Sequence, residues 1–400
     1  MTNKIDFDEM GKTIFSYVLN LYCPDDEFPY PLQRGLKGSV LGSVFASYIA
    51  FMLGRVNDLP GKDRLCQSLL ALRDPKTGLF SDPGILGEDF MKPQEHSSLY
   101  VALQITSFAH ACLHCLGVKF DSRVHWIAPL LEPNALEEWL DKLNWSNPWL
   151  VSNMDMFLGN FLIEWQRADP GNQKILTALD RYFKWHDKNQ VPETGYWGDQ
   201  EDFLSAMAGA YHIILHYDFC GKKLQYIDEM IDSTLSLAWK DGLYVYGGGG
   251  GSCEDMDAID LLIRLSKVSD HGQKEVKSIL NCGAVMIHLG QGEDGGFAWR
   301  LTPGPGKIPA ILGLGDNRIN ALKGLAFQFI YKMRYRSHYN SIHYYSSLRV
   351  YPFKINESDM WSTWFRALSM ALVARRYPDL FSTACHWRFF SWPGLGYDPF

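Results

Sequence analysis

The sequence predicts an all-α fold: six helix pairs closed into a single (α/α)6 toroid with an inner and an outer ring of helices. Three observations predict it. One helix–turn–helix unit recurs along the chain. The second helix of each pair is apolar on nearly every face, whereas the first carries a polar stripe. The turns joining them repeat a glycine beside an aromatic residue. A helix that is apolar all round is buried on most faces, and a striped helix is buried on one. Each pair therefore supplies one inner and one outer helix. An open solenoid needs polar capping units at its ends, and the first and last units here are as apolar as the middle ones.

The elements follow in order. The second helices are expected to begin near Ser39, His96, Trp149, Glu201, Glu254 and Ser358; the first five starts are 57, 53, 52 and 53 residues apart. The last gap is 104 residues, which places an insertion at about 301–357. It is read as one more helix, Asn317–Tyr335, and an aromatic polar loop, His338–Phe353. Ser43–Leu53, Ala102–Leu116, Phe203–Leu215 and Trp364–Val373 are the apolar inner stretches; Glu137–Lys142 and Tyr226–Lys240 are striped outer ones. The turns are Asp74–Phe80, Glu193–Gly198, Asp241–Tyr244 and Asp294–Trp299. Strand signal is confined to Tyr244–Tyr246 and the 338–353 loop. The aromatic, Gly/Pro-punctuated segment 381–400 is expected to close one end of the single domain 1–400.

Composition narrows the function classes. Hydrophobic residues make up 46% of the 400 and charged residues 21%, enough to bury a large core. A net charge of −7 with no Lys/Arg run argues against a nucleic-acid partner. No stretch reaches the roughly 18 uninterrupted apolar residues of a membrane span, and Met1–Asp8 lacks the plan of a signal peptide. Eight scattered cysteines read as reduced thiols of a cytoplasmic protein.

In such a ring the inner helices start at one end, so their first turns are where a site is expected. Those positions pool Glu95, His96, Asn153, Asp155, Glu201, Asp202, Glu254, Asp255, Asp257 and Asp359, a strongly acidic set. Capping explains a single acid at a helix start. It does not explain Ser252-Cys253-Glu254-Asp255-Met256-Asp257-Ala258-Ile259-Asp260, where four carboxylates fall within seven residues after the glycines Gly247–Gly251. Glu254 and Asp257, and Asp257 and Asp260, share a helix face at i,i+3. Such a cluster needs either a cation or protonated carboxyls, and one carboxyl of a shared buried site has its pKa strongly raised. A protein holds a neutral carboxylic acid ready as a proton donor in this way. The glycine run is read as a lid over Asp255 and Asp257, or else as a metal–diphosphate seat. His110-x-Cys112-x-His114-Cys115 is set aside as a zinc site, because its side chains point round a helix rather than converging.

The α/α pairs, the Gly-plus-aromatic turns and the acidic inner-helix start resemble the toroid of terpenoid cyclases and protein prenyltransferase β-subunits. Asp255-Met256-Asp257-Ala258 is similar to the Asp-x-Asp-Asp motif of class II terpenoid cyclases, with Ala258 where the last Asp is expected. Carried over, the resemblance implies that Asp257 is the proton donor, tuned by Asp255 and Glu254. It implies acid-initiated cyclisation or isomerisation of an isoprenoid-like substrate without a cofactor; Mg²⁺ enters only if the substrate is a diphosphate. Aromatic faces stabilise a passing carbocation by about 0.5–2 kcal/mol each. The residues expected to line the substrate are His96, Trp149, Asn153, Trp197, Asp202, Asp260, Trp299, Trp361 and Trp364. Two other classes fit the same pattern. One is a carbohydrate-active α/α toroid (lyase, hydrolase or epimerase) that stacks sugars on the same aromatics and uses carboxylate, His or Tyr acid–base pairs. The other is a non-catalytic binding protein on this fold.

Overall fold

The computed structural model of the chain describes residues 4–82, 84–85, 89, 97–245, 250–301, 319, 322–323, 326, 329–330, 333, 342–345 and 348–400. The fold is all-α. The helices alternate as expected: α1 (Phe7–Leu19), α2 (Val40–Met52), α3 (Lys62–Ala71), α4 (Ser98–Cys115), α5 (Ala135–Lys142), α6 (Pro148–Ala168), α7 (Gln173–Asn189), α8 (Phe203–Phe219), α9 (Ile227–Leu237), α10 (Ser252–Val268), α11 (Gln273–Leu289) and α12 (Met360–Arg376). The even-numbered helices are the apolar ones. In α2 every residue but Phe51 is buried, whereas α3 buries only Leu65 and Leu69. Each even helix starts within two residues of its expected position.

Side-chain capping sets most of those starts. Ser39, Ser97, Asn147, Asp202 and Asp359 each accept a hydrogen bond from a backbone N–H in the first turn of their helix, satisfying a donor that has no partner within the helix. α10 differs. Its N-cap is Gly251, and no side chain caps it.

The helices gather into two compact units. The first comprises Met1–Lys62 and Thr234–Arg388. In it α12 packs on α10, α2 and α11. The helix starts lie together here: the Met360 N–H donates to the Leu32 carbonyl at 2.7 Å, Gln33 pairs with Asp359, and Ser252 Oγ donates to Ser362 Oγ at 3.1 Å. The second unit comprises Asp63–Ser233 and Phe389–Phe400, with α6 packed on α8, α4 and α7. Helices α6 and α8 also run in the same direction, since Ser152 Oγ and His212 Nδ1 meet at 2.9 Å near both starts. In each unit the inner-helix N-termini thus gather at one end.

The strands are short. Phe297–Ala298 (β1) pairs antiparallel with Ser358–Asp359 (β4), and Ile342–Tyr344 (β2) with Pro352–Lys354 (β3). The strand expected at Tyr244–Tyr246 is not formed at Tyr244 and Val245, because the Tyr244 N–H is given to the Asp255 carboxylate at 2.7 Å instead of to a ladder. Tyr246 lies outside the described residues, as do Gly247–Gly249 and most of the insertion. The C-terminal segment packs at the far ends of the inner helices. In the first unit the Arg388 N–H donates to the Met52 carbonyl at 2.8 Å, and Trp387 lies on Phe7. In the second, Trp392 stacks on His114 and Tyr397 meets Phe219 edge-on. All eight cysteines are free thiols. No helix among the described residues is long and apolar enough to cross a membrane.

Gly195 shows what a turn glycine does here. Its φ is +74°, and an added Cβ would lie 2.7 Å from the Tyr226 carbonyl oxygen and 2.8 Å from Met230 Cβ. Gly117 has the same φ but nothing within 4 Å. Gly117→Ala should therefore cost only the left-handed strain, about 1–2 kcal/mol. Gly195→Ala should cost at least about 1 kcal/mol more, because backbone must also move. Denaturant unfolding of the two variants checks this; equal losses would mean that the close approach carries no energy.

Candidate active site

The start of α10 is built around one buried ion pair. Arg366, in the second turn of α12, donates through Nη1 to Asp255 Oδ2, and through Nη2 to the Trp299 carbonyl at 2.9 Å. Both side chains are fully buried. Asp255 Oδ1 accepts the Tyr244 N–H. Gly250, at φ +60°, passes so close that an added Cβ would overlap the Asp255 carboxylate. This end of the glycine run is thus explained by close backbone approach. Burial lifts the Asp255 pKa to about 6, with Arg366 and the Tyr244 N–H pulling against that rise.

Asp260 is neutralised in a second way. Arg264, one turn on, donates through Nη2 to its Oδ2 at 3.0 Å, and both are buried. Glu254 is half-buried and accepts from the Cys253 thiol at 3.0 Å. Asp257 has none of this. It is 2% exposed, and nothing among the described residues hydrogen-bonds its carboxyl. Burial first, then the charges of Glu254, Asp260 and Asp255, push its pKa well above the usual carboxylate range. Its surroundings thus favour the protonated form.

Aromatic residues surround these helix starts. The Trp299 ring lies against Gly251, where an added Cβ would come within 2.7 Å of it. It stacks on His343 at 6.0 Å. Trp361, in the first turn of α12, is half-buried and meets Tyr345 edge-on at 4.3 Å and Phe365 at 5.8 Å. Trp364 is fully buried among Phe45, Tyr48 and Phe365.

The first unit thus brings together Glu254, Asp255, Asp257, Asp260, Trp299, Trp361 and Trp364. The other expected residues belong to the second unit or lie outside the described residues. His96, with Glu95, is among the latter. Trp149 is half-buried in the first turn of α6, and its carbonyl accepts from Asn153 Nδ2 at 2.8 Å. Two expected binding residues have structural places instead. Trp197 is 1% exposed, and its indole N–H is spent on the His186 carbonyl at 2.8 Å, so it belongs to the core. Asp202 is exposed and caps α8 through the Ser205 N–H and hydroxyl.

Arg366 was not among the expected residues, and its signal is an arginine inside an apolar stretch, which has to find a carboxylate. Asp359, one of the expected helix-start acids, caps α12: Oδ1 accepts the Ser362 N–H at 2.7 Å, Oδ2 is buried without a partner among the described residues, and burial lifts its pKa to about 7. The second unit holds a buried chain. His186 Nε2 lies 2.8 Å from Asp155 Oδ2, Tyr182 donates its hydroxyl to the same oxygen at 3.1 Å, and His216 joins Tyr182 at 2.9 Å and Asn160 at 3.0 Å. Burial lowers the pKa of His216 to about 4 and of His212 to about 3. His110 and His114 both turn to Glu164. Burial raises the Glu164 pKa, but the two imidazoles outweigh it and hold it at about 2. Among the described residues no group of three or more His, Cys, Asp or Glu is arranged to hold a metal ion.

Two predictions follow from the paired and unpaired acids. Arg366→Met strands the Asp255 carboxylate and should cost about 3–5 kcal/mol at pH 8, less at pH 5 where Asp255 takes up a proton. Asp255→Asn/Arg366→Met should recover part of that loss. Urea unfolding at the two pH values reads both effects. Asp359, with a folded pKa of about 7 against 3.8, contributes stability that is complete below pH 3.8 and lost as the pH rises through 7. Asp359→Asn should therefore gain on the wild type between those values by up to about 1.4 kcal/mol per pH unit. A pH-independent difference between them would mean that Asp359 is ionised throughout.

No family model and no curated protein matches the chain. Among solved structures it is similar to the type II terpene cyclase MstE from Scytonema in its apo form, at 13% identity and a TM-score of 0.45, over 94% of this chain and 99% of that one. It is also similar to the GH76A alpha-1,6-mannanase from Salegentibacter sp. HEL1_6, at 12% identity and a TM-score of 0.41, over 82% and 100%. Likenesses of this size carry no argument about activity, and the all-α fold rests on the chain's own helices.

Proposed function

We propose that this chain is a terpenoid-cyclase-like enzyme that starts its reaction by protonating an apolar, isoprenoid-like substrate, with Asp257 as the acid. The observation that carries the reading is the contrast within two turns of one helix. Asp255 and Asp260 each have an arginine, Glu254 has partial exposure, and Asp257 has neither a cation nor a hydrogen bond among the described residues. A carboxyl placed so keeps its proton at neutral pH, which a general acid requires. In the step, the Asp257 O–H bond breaks and a C–H bond forms at an alkene carbon, leaving a carbocation and the Asp257 carboxylate. Loss of a neighbouring proton back to that carboxylate ends an isomerisation or cyclisation and restores the acid. Trp299 and Trp361, half-buried beside the helix starts, are the faces that would steady the cation. The step as written uses no cofactor, and Mg²⁺ would enter with a diphosphate-bearing substrate. Asp255, held by Arg366, positions the turn and raises the Asp257 pKa by its charge.

The test is incubation of the protein and its Asp257→Asn variant with a panel of isoprenoids and oligosaccharides, with circular dichroism on both. Turnover of an isoprenoid that falls by about 10²–10⁴-fold in a folded variant supports the reading. A fully active variant ends it. Turnover of an oligosaccharide alone favours the carbohydrate-active class. If Asp257→Asn does not fold, Asp257→Glu, which keeps the acid but shifts it, should retain partial turnover.

A further inference from the structure

A cavity of about 360 Å³ opens in the first unit where α1, the end of α2 and the C-terminal segment meet. Small-molecule sites have volumes of about 300–1,000 Å³. Its apolar part comes from Leu53 and from Gly11, which stands inside α1. A glycine inside a helix weakens it, and close approach is the reason here. An added Cβ would lie 3.1 Å from Trp387 Cζ2 and 3.4 Å from both Trp387 Cε2 and Leu53 Cδ2. Trp387 is 3% exposed, and its indole N–H meets no acceptor among the described residues. Buried indoles normally find one: Trp145, Trp185 and Trp197 each donate to an oxygen. Cε2 carries the indole nitrogen, so the unpaired N–H of Trp387 lies at the cavity wall beside Gly11.

Charge selects the ligand. Lys12 and Arg55 line the same cavity, in a chain whose net charge is −7. Asp8 lines it too, and His386 Nε2 stands 3.7 Å from its Oδ1. The two cations have exposed partners outside the lining: Glu9 for Lys12, at 3.7 Å, and Asp58 for Arg55. Exposed pairs of this kind are worth little, so an anion can compete for both. Arg55 is already oriented, its guanidinium 4.4 Å from the centre of the Phe15 ring. Arg388 brings a further cation, with Nε 3.8 Å from an added Cβ on Gly54. The last carbonyls of a helix ordinarily repel an anion. At the end of α2 those of Ile49, Ala50, Phe51 and Met52 are taken by the N–H groups of Leu53, Arg55, Gly54 and Arg388. A carboxylate or phosphate suits two cations and an N–H, all of them donors. An apolar body suits Leu53 and Gly11.

We infer that this cavity binds a small organic anion, its carboxylate or phosphate held by Lys12, Arg55 and the Trp387 N–H and its apolar body resting on Leu53. The site lies at the far end of α2 from the helix starts that hold Asp257, so it stands or falls apart from that acid. The test is calorimetric titration of the full chain with phenyl phosphate, phenylacetate, inorganic phosphate and phenol. At least one of the two phenyl anions should bind with a Kd below about 1 mM, and at least about tenfold more tightly than inorganic phosphate or phenol. Lys12→Gln/Arg55→Gln should weaken that binding by about tenfold or more; both positions are exposed, so the fold should hold. Asp8→Asn should tighten it about twofold or more, by removing a like charge, a gain that a merely structural role would not produce. Trp387→Phe keeps the ring and removes the N–H, and should weaken binding several-fold; if it does not fold, the charge variants decide. No binding of either phenyl anion, or equal binding by the double variant, overturns the proposal. Inorganic phosphate bound as tightly as the phenyl anions overturns it in favour of a bare ion site, and phenol bound as tightly in favour of a neutral ligand.

Discussion

The contact between Arg366 and Asp255 is the constraint on which the candidate site depends. It fastens the first turn of α10 to α12 through two fully buried side chains. It also fixes the loop before α10, since the same carboxylate accepts the Tyr244 N–H and leaves room at Gly250 only for glycine. With one acid consumed in holding the backbone and another paired to Arg264, the charge that remains bears on Asp257. Removing water from that residue beside Glu254, Asp260 and Asp255 is what favours its neutral form. A buried pair of this kind is weak evidence for net stability, because desolvation opposes the attraction. What it does provide is a defined register between two helices.

The capping pattern gives the same result from another side. Five inner helices begin with a side chain that closes the first turn, and α10 begins with Gly251 instead. Acidic residues at helix starts are ordinarily absorbed by capping, as Asp202 is. In α10 none of the four carboxylates caps, so each had to find a cation, remain partly in water, or hold its proton. The second unit solves the same problem with hydrogen bonds. Asp155 Oδ2 takes both His186 and Tyr182, its Oδ1 is buried without a hydrogen-bond partner among the described residues, and His216 extends the chain from Tyr182 to Asn160. Imidazoles locked in this way lend rigidity to the core around α6 rather than free acid–base groups.

The pairing of helices was legible in the sequence because a fully buried helix and a half-buried one leave different hydrophobic patterns. So were the starts of the inner helices, through Ser39, Asp202 and Asp359 and through the glycine-containing turns. The crowding of Glu254, Asp255, Asp257 and Asp260 was legible too, along with the need for either a cation or protonated carboxyls among them. Trp197 and Asp202 show where that reading stops. A tryptophan in a turn looks the same whether its N–H faces a substrate or the carbonyl of His186, and an aspartate at a helix start looks the same whether it binds or caps.

By itself, then, the sequence determined the all-α class, the alternation of inner and outer helices and the stretch in which the acids concentrate, since all three are local patterns repeated along the chain. Only the tertiary structure decided which acid is left unpaired. Arg366 stands 111 residues from Asp255 in the chain, and Arg264 is one turn away from Asp260 on the same helix. Nothing local says that the distant arginine takes Asp255 rather than Asp257. That choice is made when α12 packs on α10, because a buried guanidinium and a buried carboxylate are tolerated only where packing brings them into contact.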